Sequence, residues 1–562
     1  MTLARPKRMQ HGAALLALAA MMVLGTTWML VSAFSAAARG AAQTAHNARL
    51  LAEAKGALIA WVAANALESA EENPGRLPCP QAWGDVGSAN EGRAAPSCAN
   101  PIGWLPWRTL GLPAMLDASG RQLWYVVSPG WHLPRGGATL RINSNTPGQL
   151  TLDGRPALAL LIAAGPALAA APNAAQLAAG CVARAQSAAI AVPPNPRDFL
   201  ECYAGSAFRS SVVDNAANPV LNDQVVAVTA ADLLPALEAA IAKRIERDIV
   251  PPLREVYATT AWGVDAAHAV FPFAAPFANP GTSSFQGAAG TFQGLLPFNE
   301  TQDCRGPRCL PALVGYADTP APAVEVYGHG ELQAQTCVWE STDVRRCEGE
   351  YRPSGAQPWQ PIRIEMSATF TNVAMGLRTI DPTRLEVAAR DHALLGAWMR
   401  QPVNTAAVMN DGSAPGKPAG SVTLTFGATL PNPGAMGWGS RAQFRVRVER
   451  AVIGDHSLLD PAAPGTGWFV RNEWYRLLYY ATAPGHAASA PAPRACGACL
   501  ELDNRAARAL LVLAGRSLSG TARPNGSLAD FVEGANADLD LRFEQRPVNA
   551  AFNDRVLVLD AL

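Results

Sequence analysis

Side chains that could do chemistry are few and occur as short pairs. Only eight histidines occur in 562 residues. His329 and Glu331 stand in GHGE, Asp391 precedes His392, and Asp455 precedes His456. Each pair offers an acid and a base. None has the nucleophile or third ligand nearby that a catalytic triad or a metal site needs. Asp153 with Arg155, and Asp503 with Arg505, lie in Asp-Gly-Arg and Asp-Asn-Arg turns, where an Asp normally serves the backbone. No G-x-S-x-G elbow, H-E-x-x-H, phosphate loop or dinucleotide fingerprint is present. Asp85, Asn90 and Glu91 carry oxygens suited to calcium but lack EF-hand spacing, and read as a solvated turn. These residues predict a chain that is not an enzyme and holds no cofactor or metal.

The ten cysteines fall in close pairs: Cys79/Cys98, Cys181/Cys202, Cys304/Cys309, Cys337/Cys347 and Cys496/Cys499. An even count in local pairs predicts five disulfides in an oxidising compartment, although spacing alone does not prove connectivity. The C-G-A-C at 496–499 also has the spacing of a redox pair or half a zinc site. It lacks a thioredoxin-like context and a matching His pair, so a structural disulfide is expected. Lys plus Arg equals Asp plus Glu, 45 each, so no basic excess marks a nucleic-acid surface. Fourteen tryptophans stand mostly in Gly/Pro-rich loops, where such rings form the core; exposed ones could anchor a partner.

The elements that must carry these residues include an internal duplication. LTLDGRPALALLIAAGPAL (150–168) recurs as LELDNRAARALLVLAGRSL (500–518). LWYVVSPG (123–130) recurs as LYYATAPG (478–485), DFLE (198–201) as DFVE (530–533), and NDQVVAV (222–228) as NDRVLVL (553–559). Four blocks in the same order predict two copies of one strand–turn–strand module. Between them, 229–258 reads as a helix with an apolar stripe, interrupted or ended by Pro251-Pro252. Residues 336–460 read as a β-rich insert, because IRIEMSATF, SVTLTFGATL and AQFRVRVERAVI alternate apolar and polar residues.

At the start of the chain, residues 12–38 carry no charge and follow a basic leader with Arg5, Lys7 and Arg8. The run exceeds the about 20 apolar residues of a bilayer span. Residues 39–72 continue without proline and place Leu51, Ala54, Leu58 and Val62 on one helical stripe before Pro74.

This layout resembles the N-terminus of type IV pilins and type II secretion pseudopilins: a short basic leader ending in Gly, an apolar helix, and an amphipathic continuation buried in a head. The resemblance covers residues 1–72, and in part 73–130, where Asp117-x-x-Gly120 leads into an aromatic strand ending in Pro129-Gly130. It implies cleavage by prepilin peptidase between Gly12 and Ala13, with Ala13 as the new N-terminus and a methylation candidate. The family usually places Glu at the fifth mature position, and here that is Ala17. That gap implies a minor, tip or assembly-initiating subunit.

The expected fold class is α+β: a long N-terminal pilin-like helix carrying a mixed or antiparallel β head. The expected division is leader 1–12, transmembrane half 13–38, amphipathic half 39–72, head with the first module 73–258, Gly/Pro-rich connection 259–335, β insert 336–460 and second module 461–562. The expected function is a non-enzymatic minor subunit of a type IV pilus or type II secretion filament. It would be single-pass in the inner membrane, N-terminus cytoplasmic, with its bulk periplasmic or in a surface filament. Its partners would be that membrane and other pilin-like subunits, with no nucleic acid. A bitopic periplasmic binding or adhesion protein with an uncleaved signal anchor is the alternative, and an anchored hydrolase a third.

Overall fold

The computed structural model describes residues 11–132, 140–165, 199–201, 205–210, 221–258, 270–279, 285–298, 315–317, 324–328, 330–355, 361–373, 376–410, 412–488, 490 and 495–562. Side chains are described for all of these except 11–15, 30–37, 257, 258, 315 and 327. Two compact units emerge: 1–61, 77–138 and 147–230 make the first, and 62–76, 139–146 and 231–562 the second.

In the first unit, helix α1 (His11–Ala66) precedes seven strands. These are β1 (Ile102–Trp104), β2 (Trp124–Val127), β3 (Leu150–Leu152), β4 (Arg155–Ala157), β5 (Ala159–Ala163), β6 (Ala207–Phe208) and β7 (Gln224–Val228). An antiparallel sheet runs β1-β2-β5-β7, and a small one runs β4-β3-β6. Both central strands of the larger sheet are buried along their whole length, as the continuous apolar runs WYVV and ALLIA require. Trp104, Trp124, Val126, Leu160 and Ile162 share one core. Trp83 and Phe199 add edge-on and tilted ring contacts to the two tryptophans at 5.2–5.8 Å.

The second unit opens with α2 (Ala230–Arg244), a π turn at Ile245–Ile249 and α3 (Val250–Ala258). Pro251 and Pro252 lack the N–H that an α-helix needs. The helical path survives them through the wider π turn just before. Strand β8 (Gln293–Leu295) follows. Then come β9 (Gly315–Tyr316), β10 (Val324–Tyr327), β11 (Gly330–Trp339), β12 (Val344–Pro353), β13 (Ile362–Thr371), β14 (Arg378–Ile380), β15 (Leu385–Asp391), β16 (Met399–Arg400), β17 (Asn404–Met409), β18 (Val422–Leu430), β19 (Ala442–Glu449) and β20 (Ile453–Asp455). One five-stranded sheet runs β10-β13-β18-β17, with β9 also on β13; another runs β11-β12-β19-β15-β16. Strands β14 and β20 pair separately. Alternate residues from both five-stranded sheets, among them Ile364, Met366, Leu424, Phe426, Phe444 and Val446, share one core. The result is a β-sandwich.

Helix α4 (Gly467–Arg471) leads to β21 (Leu478–Thr482), β22 (Leu500–Leu502), β23 (Arg505–Leu513), β24 (Arg542–Phe543) and β25 (Arg555–Ala561). This last sheet repeats the first unit in register. Tyr125 faces Leu161 and Leu161 faces Val226; at the aligned positions Tyr480 faces Leu511 and Leu511 faces Leu557. The hairpins match as well, Leu150 with Ala157 and Leu500 with Ala507. Each hairpin also takes a parallel strand, β6 or β24, ending in Phe208 or Phe543. Asp153 and Asp503 sit at the turns with φ of 51° and 47°, a conformation that Asp and Asn tolerate better than most side chains.

The expected fold class is corrected here. The described chain is mostly β, with 25 strands and few helices. A mainly helical stalk carrying a β head does not describe it. The transmembrane half expected over 13–38 also fails. Among the described residues no helix is long and apolar enough to cross a membrane. The single-pass inner-membrane location and the membrane partner drawn from that run therefore have no support.

Candidate functional site

Helix α1 presents two different surfaces. Along its later part, Asn47, Leu51, Ala54 and Leu58 are buried, and Val62 and Ala66 continue the stripe. The spacing of three or four residues keeps one face inward. Polar contacts fix the register. Lys55 Nζ donates to the Ala227 carbonyl of β7 at 2.9 Å, and the Ala118 N–H donates to Asn47 Oδ1 at 2.8 Å. Asp117 completes this corner. Its Oδ1 accepts from the N–H groups of Ser119 and Arg121, and its Oδ2 accepts from the Gly165 N–H at 3.0 Å. The Asp117–Gly120 turn thus links α1 to the loop that follows β5.

Residues 62–76, which include the last turn of α1, belong to the second unit, and the carbonyls there are capped within it. Arg244, almost fully buried, donates to the carbonyls of Ala66 and Ser69, and Arg247 donates to that of Leu67 at 3.0 Å. Cations suit this end of a helix, where the dipole is negative and carbonyls lack partners. Burial pushes the Arg244 pKa below its usual value, while Asp248 opposes the change.

The early part of α1 is the reverse. Leu16, Leu18, Met21, Met22, Val23, Leu24, Trp28 and Met29 are all more than half exposed. Thr26 and Thr27 satisfy their own hydroxyls on carbonyls three or four residues back. So long a run of exposed large apolar side chains is uncommon on a protein surface.

The residues singled out for chemistry stay apart. Asp391 Oδ1 accepts from the N–H groups of Ala393 and Leu394, and His392 lies 3.0 Å from Glu350. Asp455 pairs with the buried Arg378 at 2.9 Å; burial raises its pKa and Arg378 opposes that. His456 Nδ1 accepts from Leu458 N–H, and desolvation lowers its pKa. Glu331 pairs with Arg352 at 2.6 Å, and His329 lies outside the described residues. Asp153 accepts from the Ser210 backbone and hydroxyl. Glu91 accepts from the Gly87 N–H and from Gln122. Among the described residues, each of these groups makes a local turn or ion-pair contact.

Three of the cysteine pairs are bonded: Cys79–Cys98, Cys337–Cys347 and Cys496–Cys499. Cys181, Cys202, Cys304 and Cys309 lie outside the described residues, as do leader residues 1–10. Gly12 and Ala13 fall within the span of α1.

A feature of the duplication escaped the sequence. Each copy crosses two carboxylates over one corner. In the first, the Glu201 N–H donates to Asp223 Oδ2 at 2.9 Å, and the Asn222 N–H donates to Glu201 Oε2 at 3.0 Å. In the second, the Glu533 N–H donates to Asp554 Oδ2 at 2.7 Å, and the Asn553 N–H donates to Glu533 Oε2 at 3.0 Å. A Cβ at Gly165 would press on Asn222 at 3.2 Å, and one at Gly515 would collide with Asn553 at 2.6 Å. The signal was present as DFLE/DFVE and NDQ/NDR, but only the fold shows that those blocks clasp each other. No protein-family model, curated protein or solved structure matches this chain.

Proposed function

We propose that the chain is a non-enzymatic, pilin-like or pseudopilin-like subunit that joins a filament of the type IV pilus or type II secretion kind. The early part of α1 is its assembly surface. The observation that carries this reading is the contrast within one helix: a stripe buried against the head, preceded by eight large apolar side chains left exposed. Helices from neighbouring subunits would cover those side chains, each worth about 1.5–3 kcal/mol when fully buried. The leader with its Gly12–Ala13 junction supplies the processing site that such subunits need before assembly. Ala17 in place of Glu suits a minor or initiating position, where no neighbour offers an amine to pair with.

The test combines processing with assembly. Co-expressed with a prepilin peptidase and a major pilin, the chain should mature to an N-terminus at Ala13 and co-sediment with the filaments. Val23→Glu puts a charge into the covered surface and should reduce co-sedimentation by about 100-fold or more, with the head still folded. An uncleaved N-terminus, or full co-sedimentation of Val23→Glu, overturns the proposal.

A further inference from the structure

The two outer faces of the β-sandwich are built differently. On the sheet containing β12, β15 and β19, acid and base groups answer each other: Arg346 with Glu348, Arg447 with Glu340, Arg445 with Glu386, Arg352 with Glu331. The face of the sheet containing β13, β17 and β18 holds an open groove of about 190 Å³. Its polar lining makes no such pairs. Among the described residues, Arg363, Glu365, Asn404, Thr425 and Thr429 have no side-chain hydrogen bond or ion pair within the fold, although all five line the groove.

Register explains the shape. Gly427 of β18 stands opposite Glu365 of β13 on one side and Asn404 of β17 on the other. Directly opposed residues point to the same face, and this one is outward because Ile364, Met366 and Phe426 belong to the core. Gly427 is therefore a bare floor, with a carboxylate strand and a carboxamide strand on either side. The two flanking backbones lie about 9–10 Å apart, twice the spacing of neighbouring strands. Thr425 and Thr429, two residues either way along β18, close the ends. A Cβ at position 427 would lie 2.3 Å from the Ile364 carbonyl oxygen, so the floor stays open as long as the strands pair this way.

We propose that this groove is a binding subsite for one saccharide unit. The walls offer acceptors at Glu365, donors at Arg363, and both at Asn404, Thr425 and Thr429, the set that neighbouring ring hydroxyls require. An isolated anion would meet the Glu365 carboxylate, and a cation would meet Arg363. An apolar molecule would strand five polar groups. The volume is below the roughly 300–1,000 Å³ of sites for drug-sized ligands, which fits a single ring. The groove belongs to the sandwich and does not depend on the filament reading.

The experiment is saturation-transfer NMR on the full chain with D-glucose, D-galactose, D-mannose and N-acetylglucosamine. Transfer to the ring protons of at least one sugar is expected. Ala406→Tyr, at an exposed position on the groove's edge, should abolish it. Glu365→Ala should weaken it about ten-fold or more, as expected for losing a hydrogen bond to a charged group. Near-UV circular dichroism checks both variants for folding, and Asn404→Leu replaces Ala406→Tyr if that variant does not fold. Absence of transfer from all four sugars overturns the proposal. So does transfer unchanged in the blocking variant, or displacement of the sugar by glycine at equal concentration, which would mark a zwitterion site.

Discussion

At the scale of single residues, the crossed carboxylates in each repeat show how few atoms are needed to hold a corner. Each acid accepts the backbone N–H of the other segment, so the pair replaces ladder bonds the strands cannot make there. In the second copy Asn536 also donates to Asp554. Arg523 pairs with Glu533, whereas Asp554 is buried beside that carboxylate. Burial first, and then the charge of Glu533, push the Asp554 pKa well above its usual value. A carboxyl whose folded pKa is raised contributes stability that is full below its unfolded value and is lost as pH rises through the folded value. Asp554→Asn keeps an acceptor for the Glu533 N–H and removes the charge. Its urea midpoint, compared with wild type, should therefore improve steadily as pH rises from about 4 toward neutrality. A constant difference across that range would mean that Asp554 carries no proton linkage.

At the scale of elements, α1 gives the clearest energetic statement. Leu58 is fully buried on the stripe, while Glu53 lies on an open face. Leu58→Ala should cost about 2–5 kcal/mol by loss of transfer energy and creation of a cavity, and Glu53→Ala should stay within about 0.5 kcal/mol. Equilibrium urea unfolding of the two variants decides it, and equal losses would place the stripe elsewhere. The same elements show what a sequence displays and what it hides. The sandwich strands were readable because β13, β18 and β19 alternate, and the repeats because their apolar runs flank Asp turns. The class was misjudged for a physical reason. One Ala-rich run gives a loud hydropathy signal, whereas β14, β16 and β24 are two or three residues long and carry no periodicity at all. The groove over Gly427 was equally silent. Its walls come from 363–365, 404–406 and 425–429, and only strand register brings these together.

At the scale of the whole molecule, pH should also act through Glu238. This side chain of α2 is almost completely buried. Ser144 Oγ donates to its Oε1 at 2.7 Å. Desolvation pushes its pKa up to about 7, against the hydrogen bond from Ser144, the charge of Arg555, and the backbone N–H and charge of Arg516. Arg555 is itself engaged, donating to the Pro235 carbonyl at 2.8 Å, and burial lowers its pKa. Because the Glu238 pKa is raised on folding, its contribution to stability is complete below the ordinary value of 4.5 and is lost as pH rises through about 7. From that interval the loss is about 3 kcal/mol. Glu238→Gln is neutral at every pH and keeps an acceptor for Ser144. Wild type should therefore show a urea midpoint that falls between about pH 5 and about pH 8, and the variant a flatter profile. Parallel profiles for the two proteins would show that Glu238 remains charged in the folded chain, with its charge balanced by the neighbouring arginines.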